Sequence, residues 1–170
     1  MRSVDLLGDG FERIRDVVRG VTSQASPDVL GFRPDAEANT VAWLIWHLSR
    51  VQDNHIAELV GEDEVWISEA WVDRFALPFD RDATGYGQDP DEVAAVRPDA
   101  ELLAGYYDAV HERTMRYLSG LRDEDFDAVV DRAWDPPVTL AVRLISILSD
   151  DLQHAGQASY VRGLAERALG

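Results

Sequence analysis

Three observations predict an all-α fold, a four-helix bundle with one long crossover between its second and third helices. Apolar residues recur at helical spacing in four long segments, and prolines with capping residues punctuate the chain between them. Only one connection is too long for a simple helical hairpin. A chain of 170 residues suits one domain spanning 1–170, and it buries enough apolar surface to be stable without covalent staples.

The first segment runs from about Val4 to Val21, with Leu6, Phe11, Ile14, Val17 and Val18 in helical spacing. Pro27 and Pro34 then break the chain, and Asn39 or Thr40 caps the second segment, about Val41 to Val60. That segment carries Leu44, Leu48, Val51, His55 and Leu59 on one face. The third starts after Pro98 with Asp99 as cap, and its stripe holds Leu103, Tyr106, Val110, Thr114, Tyr117 and Leu121. The fourth follows Pro136 and Pro137, is capped by Thr139 and continues to about Leu169. Its stripe includes Leu140, Leu144, Ile147, Leu148, Leu152 and Ala155. Between the second and third segments, Gly61 to Pro98 hold Trp66, Trp71, Phe75 and Phe79, then Thr84-Gly85-Tyr86-Gly87. A connection this long is functional or packs as a cover, and it lets the third helix run parallel to the second.

Charge narrows the function. The 32 acidic residues outnumber 16 basic ones, giving a formal net charge of −16. Such a surface repels phosphate backbones and anionic membranes, so neither nucleic acid nor membrane is an expected partner. All the basic residues are arginine, which reads as GC-rich coding rather than chemistry. No apolar run approaches the roughly 20 residues that span a bilayer. Met1 to Gly10 lacks the form of a signal peptide, so the expected location is the cytoplasm. With no cysteine, the chain has no disulfide, no thiolate zinc cluster and no thiol nucleophile of its own. Any thiol chemistry uses a thiol brought by another molecule.

The histidines carry the strongest chemical signal. At 100° per residue, His47 lies at the edge of its helix's apolar arc beside Asn54, and His154 at the edge of its own. Two histidines so placed can meet across a groove and share a metal ion. His55 falls in the middle of its arc and reads as a satisfied core histidine, and His111 as an edge residue of the third helix. Asp150 and His154 are i, i+4, while Asp151 and His154 are i, i+3, so either carboxylate can join an ion held by His154. Angle alone prefers Asp151, which points further into the apolar arc, where an unpaired carboxylate is costly. Arg143, two turns before Asp150 on almost the same face, either holds a substrate carboxylate or pairs with a neighbouring acidic side chain. A di-iron carboxylate centre needs Glu-x-x-His on two helices, and the second and fourth segments supply one Asp-x-x-His.

Val41-Ala42-Trp43-Leu44-Ile45-Trp46-His47-Leu48 and Asp151-Leu152-Gln153-His154-Ala155-Gly156-Gln157 resemble the two motifs of the DinB superfamily. More narrowly, the chain resembles its actinobacterial branch of DinB-like proteins and mycothiol S-transferases. Trp134-Asp135-Pro136-Pro137-Val138-Thr139 and Thr84-Gly85-Tyr86-Gly87 extend the similarity over nearly the whole chain. The resemblance implies an up-down-down-up four-helix bundle and a divalent ion, often zinc or nickel. The ion is held by one histidine on the second helix and a His-x-x-x-His pair on the fourth. Carried over, the ligands are His47 and His154, with Asp150 where the family has the first histidine of the pair. That departure brings Fe(II) or Mn into range, because oxygen is a harder donor.

The resulting expectation is a metal-dependent S-transferase that activates a low-molecular-weight thiol, such as mycothiol, toward an electrophilic substrate, with Arg143 binding substrate. The alternative is a non-catalytic divalent-metal-binding bundle, associated with stress or detoxification. Five tryptophans, two of them in the long connection, leave room for an apolar association surface and a homodimer.

Overall fold

Residues 2–170 are described by the computed structural model, in which four long helices hold most of the chain. In order come α1 (Ser3–Thr22), α2 (Pro27–Leu30), α3 (Val41–Val60), α4 (Val65–Ser68), α5 (Trp71–Phe75), α6 (Pro90–Ala95) and α7 (Ala100–Ser119). A 3-10 turn (Asp123–Asp127), strands β1 (Val129–Asp131) and β2 (Val138–Thr139), and α8 (Leu140–Leu169) follow. The helix starts are set by side-chain caps that satisfy otherwise unpaired amide groups. Thr40 accepts from the Trp43 amide at 3.0 Å, Asp99 from Leu102 at 2.7 Å and Thr139 from Val142 at 3.4 Å. Gly61, at φ +76°, ends α3 in the left-handed conformation that glycine adopts without strain.

α1 and α3 stand diagonally, each packed between α7 and α8. Arg15 of α1 reaches Asp108 of α7 while Gly8 faces Met115, so these two helices are antiparallel. α3 and α8 are antiparallel as well, with His47 beside His154 and His55 beside Arg143. Phe11, Ile14 and Val18 from α1, Leu44 and Leu48 from α3, Leu103 and Val110 from α7, and Leu144 and Ile147 from α8 fill the centre. Two residues placed in the stripes by spacing point outward instead. Leu6 is exposed, and Leu152 is 46% exposed while its neighbour Asp151 is fully buried. The inner line of α8 steps from Ile147 to Asp151 to Ala155, and Leu152, about 100° further round the helix, faces outward.

The connection between α3 and α7 is a cover, folded into α4, α5 and α6. Polar side chains of α3 pin it. The Asp53 carboxylate accepts from the amides of Val65 and Trp66 at the start of α4, at 2.9 and 2.8 Å, and from the Tyr106 hydroxyl at 2.9 Å. Burial pushes the Asp53 carboxyl up from its usual range, against these hydrogen bonds and the neighbouring Arg50. The fully buried Arg50 donates to Glu64 at 2.6 Å and to the Ala83 carbonyl at 3.0 Å, tying the start and the middle of the cover to one side chain. Trp66 and Trp71 pack inward under this cover, and of the five tryptophans only Trp134, 67% exposed, faces outward. The connection therefore offers no tryptophan surface for association. Four exposed apolar side chains, Val142, Ile145, Leu152 and Tyr160, lie on the outer face of α8.

The short hairpin of β1 and β2 pairs Val129 with Thr139 and was not anticipated from spacing. It delivers the chain to α8, whose first amide, Leu140, donates to the Ala128 carbonyl at 2.8 Å. Among the described residues, no helix is long and apolar enough to cross a membrane.

Candidate metal centre

His47, Asp150 and His154 converge in the groove between α3 and α8. Each offers one donor atom, and the three atoms lie within 4.8 Å of one another. Donors about a tetrahedral ion at 2.0–2.2 Å stand roughly 3.4 Å apart, so contraction by at most about 1.4 Å closes the site. The rings of His47 and His154 are 4.9 Å apart and nearly perpendicular.

The tautomers favour ligation. His47 Nδ1 is 2.6 Å from the Thr84 carbonyl oxygen, which can only accept. Nδ1 therefore carries the proton, and Nε2 keeps its lone pair for a ligand. His154 Nδ1 donates to Gln157 Oε1 at 2.9 Å, and its Nε2 lies 3.7 Å from Asp150 Oδ1. Such outer partners orient metal-binding imidazoles and raise their basicity. His47 is only 6% exposed, and burial pushes its pKa down, against the Thr84 bond, which keeps the ring neutral. The other Asp150 oxygen, Oδ2, is buried and has no hydrogen-bond partner among the described residues, an arrangement suited to a cation. Trp43 completes the wall: it stacks on His47 at 4.5 Å, meets His154 edge-on at 6.3 Å, and donates its indole N–H to Gln88 at 2.7 Å.

Asp151 does not join the cluster. Its direction into the bundle matches the angular expectation, but that direction leads away from both histidines. Both its oxygens are buried and unpartnered among the described residues, and burial first, then Asp150, raises its pKa well above the usual carboxylate range. His55 is half-buried rather than a core residue. Its Nδ1 accepts from Arg143 of α8 at 3.2 Å, at the edge of the helix pair rather than in the bundle centre. Arg143 also donates to Asp131 at 2.9 Å, so this guanidinium pairs with a carboxylate of β1. His111 is buried between α1 and α7 and pairs with Glu12 at 3.1 Å, remote from the groove.

A sequence model of the DinB superfamily matches residues 10–158. The chain belongs to the DinB superfamily. Its fold is similar to the crystal structure of a conserved protein from Enterococcus faecalis, with a TM-score of 0.90 and 31% identity. That similarity covers 97% of this chain and 98% of the other. No curated protein matches it. In this DinB-like chain, spacing and motif identified three clustered side chains, but not the partners that orient them. Thr84, Gln88 and Gln157 carry no periodic signal. Thr84-Gly85-Tyr86-Gly87 stands out in the sequence through the family resemblance, and its role as a prop for His47 depends on a long-range approach.

Proposed function

We propose that this DinB superfamily member is a metal-dependent, S-transferase-like protein that joins a low-molecular-weight thiol, such as mycothiol, to an electrophile. The observation that carries it is the convergence of His47, Asp150 and His154, with both imidazoles bonded through Nδ1 and free at Nε2. His47 and His154 through Nε2, and Asp150 through a carboxylate oxygen, would hold a divalent ion, zinc or nickel by family likeness and Fe(II) or Mn by the oxygen donor. Such an ion supplies a Lewis acid that lowers the pKa of a thiol at neutral pH. The chain's own part is to orient and to shield. Thr84 and Gln157 fix the two rings, Trp43 closes one side, and the half-exposed Asp150 and His154 leave the other open to substrate.

A cysteine-free chain requires the thiol as a cosubstrate. A cavity of about 550 Å3 shares Thr84 and Gly85 with the site, and Asp80, Asp82 and Glu92 line it. These carboxylates repel the carboxylates of glutathione and accept hydrogen bonds from the hydroxyls of a sugar-bearing thiol. Arg143 remains the group for an anionic part of the substrate, provided it exchanges Asp131 for that ligand. The antiparallel pairs α1–α7 and α3–α8 support the up-down-down-up connection together with a parallel α1–α8 pair, in which Gly10 faces Leu148 and Arg162 donates to the Val21 carbonyl.

The alternative, a non-catalytic metal-binding bundle, is favoured by one observation: Arg143 is already paired with Asp131 and His55. Elemental analysis followed by a mycothiol conjugation assay decides between them. The metal-loaded protein is expected to accelerate conjugation over background, with the gain lost on chelation and in His47→Ala. A bound ion without turnover across a broad electrophile panel, and with no thiol-dependent change in a cobalt-substituted site, leaves the binding protein as the function.

A further inference from the structure

We infer that the cover between α3 and α7 is the outer shell of the metal centre, with Arg50 and Gly85 as positioning residues for His47. The inference rests on His47 being a ligand. Its observations come from the cover rather than from the cluster.

Arg50 lies one turn beyond His47 on α3 and is fully buried. Its Nε donates to the carbonyl of Ala83, the residue immediately before Thr84, while Nη1 is tied to Glu64 at 2.6 Å. One rigid guanidinium fork thus fixes the segment whose next carbonyl receives the His47 Nδ1 proton. A lysine supplies a single point of charge and cannot hold both partners in that geometry. Gly85 follows at φ +94°, against the same Nδ1 edge of that ring. A Cβ built there stands 2.8 Å from His47 Nδ1 and 3.0 Å from Trp46. Only a residue without a side chain lets the cover approach closely enough to make the Thr84 bond. Gly87, two residues on, also has a positive φ, +74°, but nothing lies within 4 Å of its Cβ position. Backbone strain is common to the two glycines, and contact with the ring belongs to Gly85 alone.

This difference supplies the test. Gly85→Ala, Gly87→Ala and Arg50→Lys are made in the full chain. The His47 tautomer is read in the metal-free protein by long-range proton–nitrogen NMR, and Zn(II) affinity by competition with a chromophoric chelator. The wild type is expected to hold His47 as the Nδ1–H tautomer. Gly85→Ala is expected to lose that preference and weaken metal binding by about 10- to 100-fold, as outer-shell substitutions do. Gly87→Ala is expected to match the wild type in both, and Arg50→Lys to fall between. If Arg50→Lys does not fold, the glycine pair still decides. Wild-type tautomer and affinity in Gly85→Ala overturn the inference, and so do equal losses in the two glycine variants, which would trace the effect to strain. Should the wild type bind no metal while Gly85→Ala still loses the tautomer, the metal-centre reading fails and the positioning of His47 stands.

Discussion

The two helices that face each other across the site are built on opposite plans. From Val41 to Arg50, α3 is buried on every side, because the bundle takes one face and the cover takes the other. α8 buries a single line through Leu144, Ile147, Asp151 and Ala155, and leaves Val142, Ile145, Leu152 and Tyr160 on its outer face. Their histidines differ in the same way. The partner of His47 is Thr84, 37 positions away in the cover, whereas His154 is held by Gln157, three positions along its own helix. One ligand therefore depends on long-range folding and the other on local helix geometry, although both present the same nitrogen to the groove.

The largest effect comes from removing either ligand. His47→Ala and His154→Ala should each abolish stoichiometric divalent-metal binding, measured by elemental analysis after dialysis, while far-UV circular dichroism keeps its helical signal. The variants should diverge in stability. His47→Ala also strips the half-buried Thr84 carbonyl of its donor and Trp43 of its stacking partner, a loss of about 1–3 kcal/mol. His154→Ala, at the half-exposed rim, should unfold close to the wild type. Equal destabilisation would erase the contrast between the helices, and a retained ion in both variants would remove the metal centre.

Asp150 and Asp151 sharpen the comparison within α8. Asp150→Ala should weaken metal binding strongly, and Asp150→His should keep it while shifting preference toward softer ions. Asp151→Leu should leave affinity nearly unchanged and stabilise the metal-free fold by about 1–3 kcal/mol, because it replaces a buried carboxyl with no hydrogen-bond partner among the described residues. Chemical denaturation with parallel metal titration checks both. A large loss of affinity in Asp151→Leu would move the third ligand by one position.

This pair also shows what was legible in the sequence. Helical spacing and caps gave the four long helices nearly to the residue, because Thr40, Asp99 and Thr139 act locally. Angle correctly sent Asp151 inward, yet it expected Leu152 inside as well, and only the rotation that brings Asp150 and His154 to the groove settles the conflict. Local disagreement of this kind, a carboxyl inside and a leucine outside, is expected where function constrains a helix. The outer side of α3 was not legible. Arg50 and Asp53 look like surface charges until the cover, distant in sequence, folds over them. The hairpin escaped for a similar reason: β1 and β2 have too few residues for alternation to register.

A smaller effect tests the bundle away from the site. Asp108 of α7 lies between Arg15 and Arg19 of α1 at 2.9 and 3.0 Å. Partial burial pushes its carboxyl up, but hydrogen bonds from Arg19 and Arg15 outweigh this and hold it below the usual 3.8. A depressed folded-state pKa gives stability that is present above the unfolded value and is lost as pH falls through the folded one. Asp108→Asn should therefore remove part of the acid-side slope of the stability curve. With a third of the side chain exposed, the contribution at neutral pH is about 1 kcal/mol or less. A variant whose stability still falls as steeply below pH 4 would show that the arginine pair is not what tethers α7 to α1.

The smallest effect returns to the two helices at their caps. Thr40 is buried and accepts from Trp43 at 3.0 Å, whereas the half-exposed Thr139 accepts from Val142 at 3.4 Å. Loss of a cap typically costs about 1 kcal/mol, more when the freed amide is shut away from water. Thr40→Ala should thus lower stability by about 1–2 kcal/mol and Thr139→Ala by about 0.5 kcal/mol. For a chain of this size, that is roughly 2–8 °C in Tm for the first and at most about 2 °C for the second. The first also frees the turn that carries Trp43, which stacks on His47, so Thr40→Ala should weaken metal affinity by about two- to threefold. No such coupling is expected at Thr139, whose helix starts beside the hairpin, nearly three turns before Asp150. If both caps shift metal affinity alike, the ends of α3 and α8 communicate with the site equally, and the burial of α3 is packing without a role in holding its ligand.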